Sequence, residues 1–211
     1  MIAIILSNGV AVDHEYIKSM VSEADMLICA DGGARHAYSM GLTPNLLIGD
    51  IDSVSKELLN YFEDKKVEII TYPCEKDETD TQLAVEYAVD KGAKEIVLVG
   101  CTGCRFDHTF ANISLLIWLM KRGIRGKIID SNNEINVIDR YIRLYGNKGD
   151  KISLLSITPK VTGIFTKGLK YVLEDGELCY DKPKGVSNEM TSSQAEIVIR
   201  DGMLLVIKSW D

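Results

Sequence analysis

The first 130 residues alternate between two rhythms. Short runs rich in Ile, Val and Leu recur at residues 2–6, 26–30, 46–48, 67–71 and 95–99. They are continuous rather than alternating, the pattern of strands covered on both faces. Between them the spacing predicts helices over 13–23, 34–40, 55–65, 80–91 and 108–122. In 80–91, Leu83, Ala84, Tyr87 and Ala88 form one apolar stripe. Thr79, three residues ahead of Gln82, fits a capping box. Segment 108–122 is apolar over most of its surface and is expected to be well buried. Strand–helix alternation of this kind implies an α/β fold with a doubly wound, mostly parallel sheet.

Beyond about residue 130 the helical period fades. Short alternating runs take over at 135–145, 151–157, 161–165, 169–173, 195–200 and 203–208. Turn signals separate them at Gly149-Asp150, Asp175-Gly176 and Asp201-Gly202. The last lies between AEIVIR and MLLVIK and predicts a hairpin. Closely spaced short strands imply a small all-β sandwich or barrel. Two domains are therefore expected, 1–130 and 131–211, joined through SNNE at 131–134.

Charge narrows the function. Lys and Arg number 24 against 31 Asp and Glu, a formal net charge of −7. That argues against a nucleic-acid surface, where phosphates demand cations. It leaves phosphorylated small molecules open, because a bound metal can supply the positive charge. No apolar run approaches the ~18 residues of a membrane span. MIAIILSNGV reads as a buried first strand rather than a leader, so a cytoplasmic location is expected. Five cysteines and no leader favour free thiols. Cys101 and Cys104 form an isolated CxxC, which lacks the second ligand pair of a structural zinc site. Two small residues in a turn explain it; a redox protein is the competing reading.

Ligands of an open parallel sheet bind outside the carboxyl ends of its strands. Here those ends carry Ser7-Asn8-Gly9, Asp31-Gly32-Gly33, residues 49–53 (GDIDS), residues 75–80 (EKDETD) and the stretch from Gly100 to His108. Asp31, Asp50, Asp52 and Asp80 form a carboxylate cluster with no histidine pair, a hard-oxygen set suited to Mg²⁺ with substrate phosphates. On an extended chain Asp50 and Asp52 point the same way, roughly 7 Å apart. Helix capping explains Asp80 about as well, and Ser53 after Asp52 reads as the cap of the next helix. Gly32-Gly33 lets backbone N–H groups approach an anion, although tight turns use the same pair. Arg105 offers a fork for phosphate, Asp107 an N-cap, and His108 shares a helix face with Asn112. His14 and His36 read as structural, and Ser187-Asn188 as an ordinary turn.

Taken together, ADGGA (30–34), PNLLIGDIDS (44–53), EKDETDTQLA (75–84), GCTGCRFDHTFANISLL (100–116), GLKYVL (168–173), GVSNEM (185–190) and DGMLLVIKS (201–209) resemble, in order, the bacterial thiamine pyrophosphokinase family. One position departs: Cys104 stands where the family usually has a second glycine before the arginine. The resemblance implies an α/β catalytic domain that binds ATP and Mg²⁺, then a β-sandwich that binds thiamine and dimerises. It implies transfer of the pyrophosphoryl group of ATP to the hydroxyl of thiamine, giving thiamine diphosphate and AMP. A homodimer with active sites between subunits follows from the same resemblance. Asp50, Asp52 and Asp80 would hold Mg²⁺, with Asp31 a ligand directly or through water. The base would be Asp77 or one of the metal-bound aspartates. Lys76 and Arg105 would contact phosphate, Asp107 and His108 would shape the nucleotide side, and Ser187 and Asn188 would meet thiamine. The alternatives are a diphosphokinase acting on another heterocyclic alcohol, such as a pterin, and a non-catalytic nucleotide- or thiamine-binding module.

Overall fold

The computed structural model describes residues 1–10 and 13–210. The chain forms two compact units, Met1–Ser131 and Asn132–Asp211. In the first, the apolar runs become β1 (Ile2–Leu6), β2 (Met26–Ala30), β3 (Leu46–Gly49), β4 (Glu68–Thr71) and β5 (Glu95–Val99). A sixth strand, β6 (Arg125–Ile129), is one the apolar pattern does not predict. Its sequence, RGKII, holds only two adjacent apolar residues after two cations. All six are parallel, in the order β6-β5-β1-β2-β3-β4. The strand order reverses between β1 and β5, the switch point at which such sheets open a crevice.

Helices α1 (His14–Ser22), α2 (Gly33–Ser39), α3 (Lys56–Asp64), α4 (Asp80–Asp90) and α5 (Phe106–Met120) connect the strands. The Thr79 hydroxyl caps α4 by accepting from the Gln82 N–H at 3.1 Å. The Gln82 side chain does not reciprocate, binding Glu86 instead, so the capping box is half made. α3 is capped by Ser55, not Ser53. α5 buries only Asn112, Leu116 and Leu119. Phe106 and Phe110 are 75% and 57% exposed, so the expectation of a well-buried helix is corrected.

In the second unit, β7 (Asn133–Ile138), β9 (Lys151–Ser156), β12 (Asn188–Glu189) and β14 (Leu204–Ser209) form one antiparallel sheet, ordered β12-β9-β14-β7. A second antiparallel sheet, β11-β10-β13-β8, joins β8 (Tyr141–Tyr145), β10 (Lys160–Lys167), β11 (Gly176–Cys179) and β13 (Gln194–Val198). Ile152, Leu154, Val161, Ile197, Leu204 and Val206 are among its core residues. The hairpin expected at Asp201-Gly202 is not one. β13 pairs with β8 and β10, while β14 pairs with β7 and β9, so the turn passes the chain from one sheet to the other. Both strands carry a buried alternate face, and sequence alternation alone cannot tell a hairpin from a change of sheet. The run 169–173 forms no strand; Leu169 makes a single bridge to Met190.

Candidate active site

The carboxyl ends of the parallel strands enclose a cleft of about 570 Å³, lined by residues from after β1, β2, β3, β4 and β5. Oxygens of Asp31, Asp50 and Asp80 lie within 4.8 Å of one another. At that separation each like-charge pair costs on the order of 3 kcal/mol at an effective dielectric of 20. Lys76 offsets part of this. Its ammonium is 3.0 Å from Asp80 Oδ1 and 3.9 Å from Asp50 Oδ2, and it donates to the Pro73 carbonyl at 3.1 Å. The Lys76 side chain is only 11% exposed. Burial alone would lower its pKa; the flanking Asp80 and Asp50 carboxylates outweigh that and raise it. Burial pushes the Asp80 carboxyl above the ordinary range, against the opposing pull of Lys76.

One detail bears on what completes the cluster. Asp80 Oδ1 is buried, and the Lys76 ammonium at 3.0 Å is the partner that meets its charge. Three convergent carboxylates against a single ammonium leave an excess of negative charge on hard oxygen donors, which fits a divalent cation. Gly49 makes room for the group. Its φ is +142°, and a Cβ there would lie 2.9 Å from the Asp80 carboxylate.

Asp52 is not part of that trio. β3 ends at Gly49, and the next residues turn rather than extend, because Ile51 has φ +60°. A β-branched residue in that region is an outlier. Burial of the Ile51 side chain in the main core holds it there. The Asp52 N–H approaches Asp50 Oδ1 at 3.4 Å. The Asp50 and Asp52 carboxylates do converge, with oxygens within 4.8 Å of each other, but through a turn rather than along an extended strand, and the turn exposes Asp52. Asp52 joins Asp50 in a second grouping with Cys74. The Asp50 carboxylate beside Cys74 pushes that thiol up. Ser53 donates its N–H to Asp31 at 3.3 Å and its hydroxyl to Asp52 at 3.1 Å, bracing the turn.

Asp77, His108, Arg105 and Lys76 all line the cleft. Arg105 is already bidentate to Asp107, at 2.6 and 3.3 Å, on the exposed start of α5. Arg105, not Asp107, is the N-cap residue of that helix. Arg105 holds the Asp107 carboxyl below its usual range. Gly32 and Gly33 do not line the cleft. Gly33 is buried where α2 meets β1, and a Cβ there would collide with the Leu6 carbonyl oxygen. A Cβ on Gly32 would instead meet the Asn8 side chain.

Two groups at the site, Ser7 and Asn112, carry no role in the sequence reading beyond their position. Ser7 exchanges a 2.9 Å hydrogen bond with Thr81, tying β1 to the first turn of α4 beside Asp80. Asn112 is buried and donates to the Cys101 carbonyl at 2.8 Å, fixing the loop after β5. Their only sequence signal is position at a strand end or first helical turns. Cys101 is buried, its thiol pushed up to about 12, whereas Cys104 is exposed in the cleft; both are free. Replacing Cys104 by Ser should leave kcat within about twofold of the parent, read by steady-state kinetics; complete loss would make the thiol functional.

In the second unit Ser187 has φ +60°, and its N–H bonds the Ser153 hydroxyl. The Asn188 amide grips Tyr171 at both backbone groups, accepting from its N–H at 3.0 Å and donating to its carbonyl at 2.7 Å. Asn188 Oδ1 also receives the Glu189 N–H. One amide N–H of Asn188 is left for a ligand.

The thiamin pyrophosphokinase catalytic-domain family model matches residues 17–128, and the thiamin pyrophosphokinase vitamin B1 binding-domain model matches 135–204. The chain belongs to the thiamine pyrophosphokinase family. A thiamine pyrophosphokinase of Bacillus subtilis is 29% identical over 192 residues, spanning 90% of this chain and 89% of that protein. A crystal structure of the Bacillus subtilis enzyme superposes on all of this chain and all of its own, with TM-score 0.89 and 24% identity, which supports the fold. A thiamin pyrophosphokinase family protein from Enterococcus faecalis covers 100% of this chain and 99% of its own at TM-score 0.84 and 26% identity. Membership makes the chain a diphosphotransferase with thiamine pyrophosphokinase activity, using ATP, and disfavours a pterin or other heterocyclic alcohol as acceptor. No helix among the described residues is long and apolar enough to cross a membrane.

Proposed function

We propose that the chain moves the pyrophosphoryl group of ATP onto the hydroxyl of thiamine by positioning and charge neutralisation in the cleft of the first unit. The observation that carries this is the Asp31–Asp50–Asp80 trio with the Lys76 ammonium against it. Phosphoryl chemistry of this type asks for oriented reactants and neutralised oxygens rather than a covalent nucleophile. Asp31, Asp50 and Asp80 would hold Mg²⁺, with Asp52 reaching it from the outer side of the turn. When bound, the ion neutralises phosphate oxygens and fixes their geometry.

Lys76 keeps the carboxylates charged and in place before substrate arrives, then offers its cation to phosphate oxygen. Arg105 can do the same by leaving Asp107, an exchange between two exposed partners that costs little. Asp77, exposed at the cleft, is one base for the thiamine hydroxyl proton; a carboxylate of the trio is the other. His108 and Asp107 flank the nucleotide side. Gly33 supports this site by packing α2 onto β1, and Gly32, beside the Asn8 side chain, keeps the backbone at the start of α2 open to a phosphate.

Thiamine is assigned to the second unit. The vitamin B1 binding-domain match supports this. So does the polar turn at Ser187-Asn188, where the grip on Tyr171 sets the turn's shape. A homodimer with active sites between subunits and a cytoplasmic location complete the reading. The dimer is supported by family membership and by the exposed aromatic rings of Phe106 and Phe110, surface of the kind that partners cover.

Incubation with ATP, Mg²⁺ and thiamine should yield AMP and thiamine diphosphate in equal amounts. Folded protein that forms neither removes the proposal. Asn188→Ala should raise KM for thiamine about tenfold and leave KM for ATP unchanged; an effect confined to ATP would move thiamine elsewhere.

A further inference from the structure

Asn8 follows β1 at the switch point of the sheet and lines the same cleft as the carboxylate trio. Two neighbours fix its side chain. Arg35, on α2, donates from Nη2 to Asn8 Oδ1 at 2.6 Å. A guanidinium has no acceptor, so only the amide oxygen can face it. The orientation of the amide is thereby set by chemistry. From beneath, Gly32 supports the amide plane: a Cβ there would lie within 2.6 Å of Cγ, Oδ1 and Nδ2 alike. The loop itself is anchored to the one after β5, by the Gly9 N–H to the Gly100 carbonyl at 2.7 Å and the Val10 N–H to the Thr102 carbonyl at 3.2 Å.

The result is an amide whose oxygen is consumed by a cation and whose NH₂ is presented without a partner among the described residues. A charge-assisted bond to the oxygen draws electron density from the amide and strengthens its two N–H donors. Such a group accepts only ligands rich in hydrogen-bond acceptors. In a cleft dominated by carboxylates, a neutral donor is also one that attracts phosphate without competing for the cation held by the aspartates.

We infer that Asn8 donates its amide hydrogens to a phosphate oxygen of the nucleotide, and that Arg35 is a positioning residue acting through it. The inference rests on the cleft being the ATP site. Gly32 then leaves space for a side-chain donor.

The test compares Asn8→Ala, Asn8→Asp, Arg35→Met and the Asn8→Ala/Arg35→Met double variant. Asn8→Ala should lower kcat/KM for ATP about tenfold, with KM for thiamine within twofold. Asn8→Asp keeps the shape and the Arg35 pair but turns donors into acceptors, so its loss should be larger, about a hundredfold. Arg35→Met should cost severalfold. The double variant should be no worse than Asn8→Ala, because Arg35 has nothing left to position. Calorimetry of a non-hydrolysable ATP analogue without thiamine should show the same order of weakening. That readout survives even if thiamine proves not to be the acceptor. Asn8→Ala and Asn8→Asp both within twofold of the parent, or losses that multiply in the double variant, overturn the inference.

Discussion

Replacing Asp50 by Asn should lower kcat for thiamine diphosphate formation about a thousandfold or more, while Asp52→Asn should cost only about tenfold. The two residues are two apart, and sequence treats them as equals. The structure does not: Asp50 belongs to both carboxylate groupings, Asp52 only to the exposed one with Cys74. An amide at Asp50 keeps the size and the turn but removes a charge from the trio. Lys76 would lose one of its two acidic partners and keep Asp80. Steady-state kinetics across a Mg²⁺ titration, with circular dichroism to show both variants folded, decides the matter. Equal losses at the two positions would mean that the trio is not the centre of the chemistry.

The largest effect on stability is expected at Gly33. Gly33→Ala should destabilise the first unit by about 3 kcal/mol, the upper end of ordinary overpacking. For a protein of this size that is a fall in Tm of roughly 10 °C. The reason is geometric. The added methyl would fall onto the Leu6 carbonyl, backbone that cannot rotate away. Either α2 lifts from β1 or the strand shifts from β2 and β5. Thermal unfolding of the parent and variant measures it. A change under 2 °C would show that α2 is loosely seated. The Gly41→Ala variant makes a useful contrast, since no atom lies within 4 Å of a Cβ there and only its φ of +70° opposes the change.

Much of this architecture was legible in the chain. Continuous apolar runs gave five parallel strands, because strands covered by helices on both faces leave no polar alternate positions. The acidic strand ends gave the neighbourhood of the site, because strand ends converge in a parallel sheet. What could not be read were properties set by tertiary contact. The left-handed backbone of Ile51, after which Asp52 stands outside the grouping of Asp31, Asp50 and Asp80, is held by burial against distant residues, and no local rule forecasts it in a β-branched residue. The turn at Asp201-Gly202 has hairpin chemistry yet changes sheets. Ser187-Asn188 was unremarkable by spacing, and its grip on Tyr171 spans 17 residues. Asn8 stood among the strand-end residues without a role, since its importance comes from Arg35 and Gly32, which flank it only in the folded chain.

The placement of the thiols gives the protein a built-in reporter. Cys29, within β2, and Cys101, after β5, are buried, and burial pushes both thiols up. Cys74 and Cys104 are exposed, and the second unit carries only Cys179, which is partly covered. An alkylating reagent should therefore mark Cys104 first, Cys74 more slowly because the Asp50 carboxylate holds its thiol protonated, and Cys29 and Cys101 only when the parallel sheet opens. Mass spectrometry of the Cys29 and Cys101 labels would follow the opening of the first unit alone, whatever the second unit does. Bound ATP, by slowing those two labels and not Cys179, would reveal which half of the chain it holds together.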